Sequence, residues 1–131
     1  MRRILFIIIY AILVSNSLYS QQYWLSVPSP VSKSLSKCFF LDTVRGWAAG
    51  DSGVIVHTSN GGANWFSQNS GITTSTIDDI FFIDQNTGWA LTNDYLFQGT
   101  IVLRSTNGGA NWTNYRLTDT TKVFNVIYFL N

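Results

Sequence analysis

Glutamate is missing from this 131-residue chain, and cysteine, histidine and charge are scarce. Without glutamate, any acid–base pair must be drawn from seven aspartates. One cysteine, Cys38, excludes an internal disulfide. One histidine, His57, with no cluster of cysteine or aspartate around it in sequence, makes no metal site. Charged residues are 11% of the chain, and after position 20 three lysines and three arginines face seven aspartates, a net charge near −1. That balance argues against nucleic-acid binding or a polybasic membrane surface. Helical periodicity is also lacking beyond the N-terminal segment, so the rest of the chain reads as all-β.

The N-terminal segment has a different character. Arg2 and Arg3 precede an unbroken apolar run from Ile4 to Val14, and small and polar residues follow at Ser15, Asn16, Ser17 and Ser20. This is the layout of a secretory signal over residues 1–20, and the run is short for a bilayer span. The expected location is therefore exported: periplasmic, extracellular or at the cell surface. Membrane contact is expected only through that segment if it is not cleaved.

What the chain does have is a sentence written twice. Phe39-Phe40-Leu41-Asp42, Arg45-Gly46-Trp47-Ala48 and Thr58-Ser59-Asn60-Gly61-Gly62-Ala63-Asn64-Trp65 form the first copy. Phe81-Phe82-Ile83-Asp84, Gly88-Trp89-Ala90 and Ser105-Thr106-Asn107-Gly108-Gly109-Ala110-Asn111-Trp112 form the second, and Tyr128-Phe129-Leu130-Asn131 opens a third. A period of roughly 40–45 residues is the signature of propeller blades, each burying its faces only against neighbours. Each copy divides into four short strands separated by turn residues. The expected architecture is an incomplete β-propeller over residues 21–131, with antiparallel four-stranded blades. Blade one covers about 33–68, blade two about 75–115, and the first strand of a third about 122–131. The first strand of each copy is apolar on both alternating sets, as a strand buried on both sides would be. Cys38 aligns with Ile80 and Ile127, so it is expected to be a small apolar filler rather than a nucleophile. The second copy carries five extra residues around Asn93 to Gln98, which places an insertion in a loop.

The Asn-Gly-Gly-x-x-Trp boxes have a local physical logic. Glycines supply the positive φ that a tight corner needs. Asn60 and Asn107 can accept hydrogen bonds from turn amides, and Thr58 and Ser105 add a hydroxyl two residues earlier. Trp65 and Trp112 fold back as apolar plugs with a usable N–H. The expectation is a self-satisfied hairpin lock made of Thr58, Asn60, Gly61, Gly62, Trp65, Ser105, Asn107, Gly108, Gly109 and Trp112.

These boxes resemble the Asp box, or BNR repeat, of sialidases, sortilin-like receptors and photosystem II assembly factors of the Ycf48 type. Asn60 and Asn107 stand where that pattern carries Asp. The preceding Phe-x-Asp and Gly-Trp-Ala elements make the sequence most similar to the Ycf48-type repeat across residues 35–131. The resemblance implies structural boxes placed away from the ligand face, a non-catalytic scaffold and protein partners. Photosystem II assembly is the activity the family is named for, and it would apply in a photosynthetic organism. The alternative is an N-terminal portion of a secreted sialidase-like glycosidase, with carbohydrate as its ligand class. Sialidase chemistry needs a tyrosine nucleophile paired with glutamate, and this chain has no glutamate. Glycosidases in general need two placed carboxyls, whereas Asp42 and Asp84 occupy equivalent turns and read as caps. No catalytic residue, cofactor or metal is therefore expected. Arg45, before the first Gly-Trp, and Tyr95 and Phe97, in the inserted loop, are the candidate partner-binding residues. Two stacked blades leave apolar faces and edges open, so self-association is expected as well.

Overall fold

In the computed structural model the described residues are 26–94, 99–117, 119 and 123–129. The expected signal segment, Tyr95 and Phe97 lie outside them. The described chain is all-β apart from one 3-10 turn at Asp51–Gly53. Strands β1 (Leu35–Phe40), β2 (Gly46–Gly50), β3 (Val54–Thr58) and β4 (Phe66–Asn69) form one antiparallel meander. Strands β5 (Ile77–Phe82), β6 (Gly88–Asn93), β7 (Thr100–Ser105) and β8 (Thr113–Arg116) form a second. These are two blades of an incomplete propeller.

The registers are repeated along with the residues. Phe39 pairs with Trp47 and Phe40 with Gly46; Phe81 pairs with Trp89 and Phe82 with Gly88. Even the irregularity recurs, between Leu35 and Lys37 in β1 and between Ile77 and Asp79 in β5.

Residues directly opposite one another share a sheet face, which identifies how the blades stack. The first sheet presents Trp47, Ala49 and Ile55; the second answers with Ile80, Phe82, Ala90 and Leu103. Together with Ile77 and Ile101 these make one buried core, flanked by Phe39, Leu41, Ile72 and Trp112. Phe82 lies flat over Gly88, where a Cβ would come within 2.5 Å of its ring. That glycine lets the ring sink toward the sheet and receive the Trp47 indole from the neighbouring blade. Burying aromatics of this size contributes more per residue than any other packing in the core.

Among the described residues no blade covers the opposite face of the first sheet, which corrects two expectations. Strand β1 is not buried on both sides: most of it is exposed, while its counterpart β5 alternates between buried and half-buried. Cys38 is exposed as well, although its counterpart Ile80 is 3% exposed. The residue types are equivalent but the neighbours are not. Ile80 faces the first sheet, whereas Cys38 faces the side on which residues 27–30 lie next to Ala48 and Val56.

Residues 123–129, expected to begin a third first strand, run against the second sheet without strand pairing. No described strand stands beside them to complete a ladder. They nevertheless repeat the stacking order: Phe129 sits 4.2 Å from Trp89 and Tyr128 5.8 Å from Phe81, as Phe82 and Phe81 sit on Trp47 and Phe39. Polar groups hold the segment down. Ile127 donates its N–H to Asp79 at 2.9 Å, and Phe124 donates to the Thr100 hydroxyl at 3.0 Å. The Asn93 amide, 1% exposed, donates to Asp78, Asn125 and the Phe124 carbonyl, while its oxygen accepts from Thr100.

Candidate functional site

The two Asn-Gly-Gly corners lie at one end of the molecule, each closing a β3–β4 or β7–β8 hairpin. In the first, the buried Thr58 hydroxyl accepts the Gly62 N–H at 2.9 Å and donates to Asn60 Oδ1 at 3.0 Å. Asn60 Oδ1 also accepts the Asn64 N–H at 2.9 Å. In the second, Ser105 accepts from Gly109 at 2.8 Å and donates to Asn107 Oδ1, which accepts from Asn111 at 2.9 Å. Both glycines of each pair have positive φ, 68° and 90° in the first corner, 70° and 87° in the second. A short side chain bearing oxygen, two residues before a second one, thus satisfies turn amides that would otherwise face inward without partners.

Each corner is also tied to the turn between the first two strands of its own sheet. Gly61 donates to the Val44 carbonyl and Gly108 to the Asn86 carbonyl, both at 2.8 Å. Those turns carry Asp42 and Asp84. Asp42 accepts the N–H groups of Val44 and Arg45 at 2.9 and 2.7 Å, and Asp84 those of Asn86 and Thr87 at 2.7 and 2.8 Å. Backbone N–H groups favour the charged form, so both carboxyls are held below their ordinary value, with Arg45 adding a smaller pull on Asp42. Both carboxylates are therefore engaged in turn closure, not poised for proton transfer.

The corners are not wholly self-satisfied, and here the structure adds what the sequence reading did not contain. The Gly108 carbonyl accepts two hydrogen bonds from the other blade: Trp47 Nε1 at 3.0 Å and Gln68 Nε2 at 2.9 Å. The second corner is thus a latch between sheets. No residue pattern could announce it, because every residue has a carbonyl and only the docking of two sheets selects one. The plugging tryptophans differ as well. Trp112 meets Phe82 edge-on at 5.9 Å, and its buried Nε1 has no partner among the described residues. Trp65 meets the half-exposed Phe40 edge-on at 6.0 Å.

Arg45 stands at the corner end, paired with Asp42 at 3.1 Å on an exposed surface. Tyr95 and Phe97, the other two candidate partner-binding residues, lie outside the described residues. At the end of the sheet away from the corners, burial pushes the Asp78 carboxyl up, against a smaller opposing pull from Asn93. His57 packs 4.9 Å from Trp47 and is pushed down first by burial and then by the Arg45 charge. Its counterpart Arg104 lies over Trp89, 6.0 Å from the ring. Among the described residues no three His, Cys, Asp or Glu side chains converge, and no helix is long and apolar enough to cross a membrane.

No curated protein matches the chain. A solved structure described as YCF48 bound to D1 peptide is similar over 77% of this chain, at 22% identity and a TM-score of 0.64. The chain spans about a third of that protein, 32% of its length, and the likeness is one of fold. A family model described as photosynthesis system II assembly factor YCF48 matches residues 16–124. With the duplicated Gly-Trp-Ala strands, the repeated corners and this match in hand, the chain belongs to the YCF48 family of photosystem II assembly factors.

Proposed function

We propose that this chain is part of an exported, non-catalytic propeller scaffold that binds a protein segment during the assembly of a larger complex. The observation that carries the reading is the stacking of two repeat blades in a chain of the YCF48 family. The turn carboxylates add support, since Asp42 and Asp84 are used to fix backbone rather than to carry protons. A peptide is the natural class of ligand, because the structurally similar YCF48 is described as bound to a D1 peptide.

Titration of the purified chain with a labelled D1 peptide tests the idea. Saturable binding that a scrambled peptide does not reproduce supports it; no binding, or equal binding of both peptides, removes it. Arg45→Ala and a Tyr95→Ser/Phe97→Ser double variant then test the candidate binding residues separately. Loss of binding in only one of them assigns the surface. Export rests on the basic and apolar N-terminal run. N-terminal sequencing of the protein recovered outside the cytoplasm tests that part.

Self-association belongs to the same reading. Phe40 lies on Gly46 as Phe82 lies on Gly88, yet it remains 46% exposed: Trp65 meets only its edge, and among the described residues no indole stacks flat on it as Trp47 does on Phe82. An open face of this kind invites a second copy. Light scattering across a concentration series should show mass growing with concentration, and Phe40→Ser should suppress the growth; a monomer at all concentrations counts against it.

A further inference from the structure

Two nearly identical heptapeptides, Ser59-Asn60-Gly61-Gly62-Ala63-Asn64-Trp65 and Thr106-Asn107-Gly108-Gly109-Ala110-Asn111-Trp112, occupy equivalent corners. Each contains Asn-Gly, the dipeptide in which asparagine loses its amide most readily, since a glycine leaves the following nitrogen unhindered. Asparagine is a thermolabile residue for this reason.

The reaction has stated demands. The backbone nitrogen of the glycine attacks Cγ of the asparagine; an N–Cγ bond forms, the Cγ–Nδ2 bond breaks, and ammonia leaves with the backbone proton. Water then opens the cyclic imide at either carbonyl, giving aspartate or isoaspartate. In the folded corners both partners are engaged elsewhere. The Gly61 and Gly108 N–H groups point to Val44 and Asn86 carbonyls at 2.8 Å. The Asn60 and Asn107 side-chain oxygens each hold a backbone N–H at 2.9 Å. Reaction thus requires the corner to open first, and its rate follows the local opening equilibrium.

That equilibrium differs between the two corners. The second is fastened across the blade interface by Trp47 and Gln68 on the Gly108 carbonyl, and Gly109 is buried. In the first, Gly61 is exposed and its carbonyl receives no side chain of another sheet among the described residues. The glycine that follows, Gly62, is half-buried where its counterpart Gly109 is buried.

We propose that Asn60 is a deamidation site of the folded protein, and that the interblade latch shields its twin Asn107. The direct product, aspartate at position 60, keeps the acceptor oxygen that Asn64 uses and adds one negative charge to the corner end. The isoaspartate product lengthens the backbone there and breaks the turn.

Peptide mapping by mass spectrometry after incubation at mildly alkaline pH tests this on the whole chain. In concentrated urea both sites should convert at nearly the same rate, since the five residues that follow each asparagine are the same and a hydroxyl residue precedes both. In the native protein Asn60 should convert at least about threefold faster than Asn107, reflecting its weaker local protection. Gln68→Ala, which removes half of the latch and leaves Trp47 packed, should bring Asn107 toward the Asn60 rate. Equal native rates, a faster Asn107, or no conversion of Asn60 under conditions where the urea sample converts would each overturn the proposal.

Discussion

The Trp47 indole lies parallel to the Phe82 ring, 3.6 Å between centroids and 9° between planes, and its N–H reaches the Gly108 carbonyl at 3.0 Å. One side chain thus joins the blades twice, by stacking through its face and by hydrogen bonding through its edge. The two contributions can be separated. Trp47→Phe should keep an aromatic on Phe82 but lose the hydrogen bond, costing about 1 kcal/mol. Trp47→Ala removes the ring as well and should cost about 3–5 kcal/mol, enough to separate the blades. Urea denaturation followed by circular dichroism measures both.

Glycine beneath a phenylalanine gives a second contrast. A Cβ at Gly88 would come within 2.5 Å of the buried Phe82 ring, and one at Gly46 within 2.6 Å of Phe40. The clashes are alike but the escape routes are not, since Phe82 is held under Trp47 and Phe40 is half in solvent. Gly88→Ala should destabilise by about 1–3 kcal/mol and Gly46→Ala by distinctly less. Equal losses in thermal melts would show that Phe40 is as confined as Phe82.

The corner hydroxyls should rank in the same order. Ser105→Ala strands the Gly109 N–H in a buried position, while Thr58→Ala strands the half-buried Gly62 N–H. An unsatisfied buried donor costs about 1–3 kcal/mol, with the half-buried case at the low end. The difference between the two variants' unfolding free energies is the quantity to compare.

Acid should weaken the fold with a predictable sign. Asp42 and Asp84 have folded values below the ordinary 3.8, through backbone hydrogen bonds first. Their stabilisation is present above 3.8 and is lost as pH falls through the lower folded values. Asp42→Asn and Asp84→Asn should therefore flatten the acid limb of a stability–pH profile. Asp78, pushed up by burial, has the opposite sign: it favours the fold most when protonated and loses that contribution as pH rises through its folded value. Asp78→Asn should be at least as stable as the unmodified chain at neutral pH and lose the advantage in acid. A variant that loses stability uniformly across pH would point to packing instead of ionisation.

The strands, their order and the corner residues were legible because each rests on short-range chemistry. Alternating apolar residues, paired glycines and a hydroxyl two positions before an asparagine act within a few residues of one another. What was misread concerns neighbours. Cys38 and Ile80 occupy the same register position, yet one is exposed and the other buried, because a sheet covers only the second.

By itself, the sequence determined that this protein is built from repeated four-stranded sheets with asparagine-glycine corners, since spacing and residue type dictate turns and strand faces locally. Tertiary structure alone decided which of two equivalent phenylalanines is buried, which of two nearly identical corners is latched, and which carbonyl accepts the tryptophan. The reason is physical: a repeat writes the same residues into each blade, but burial and long-range hydrogen bonds depend on what stands beside it.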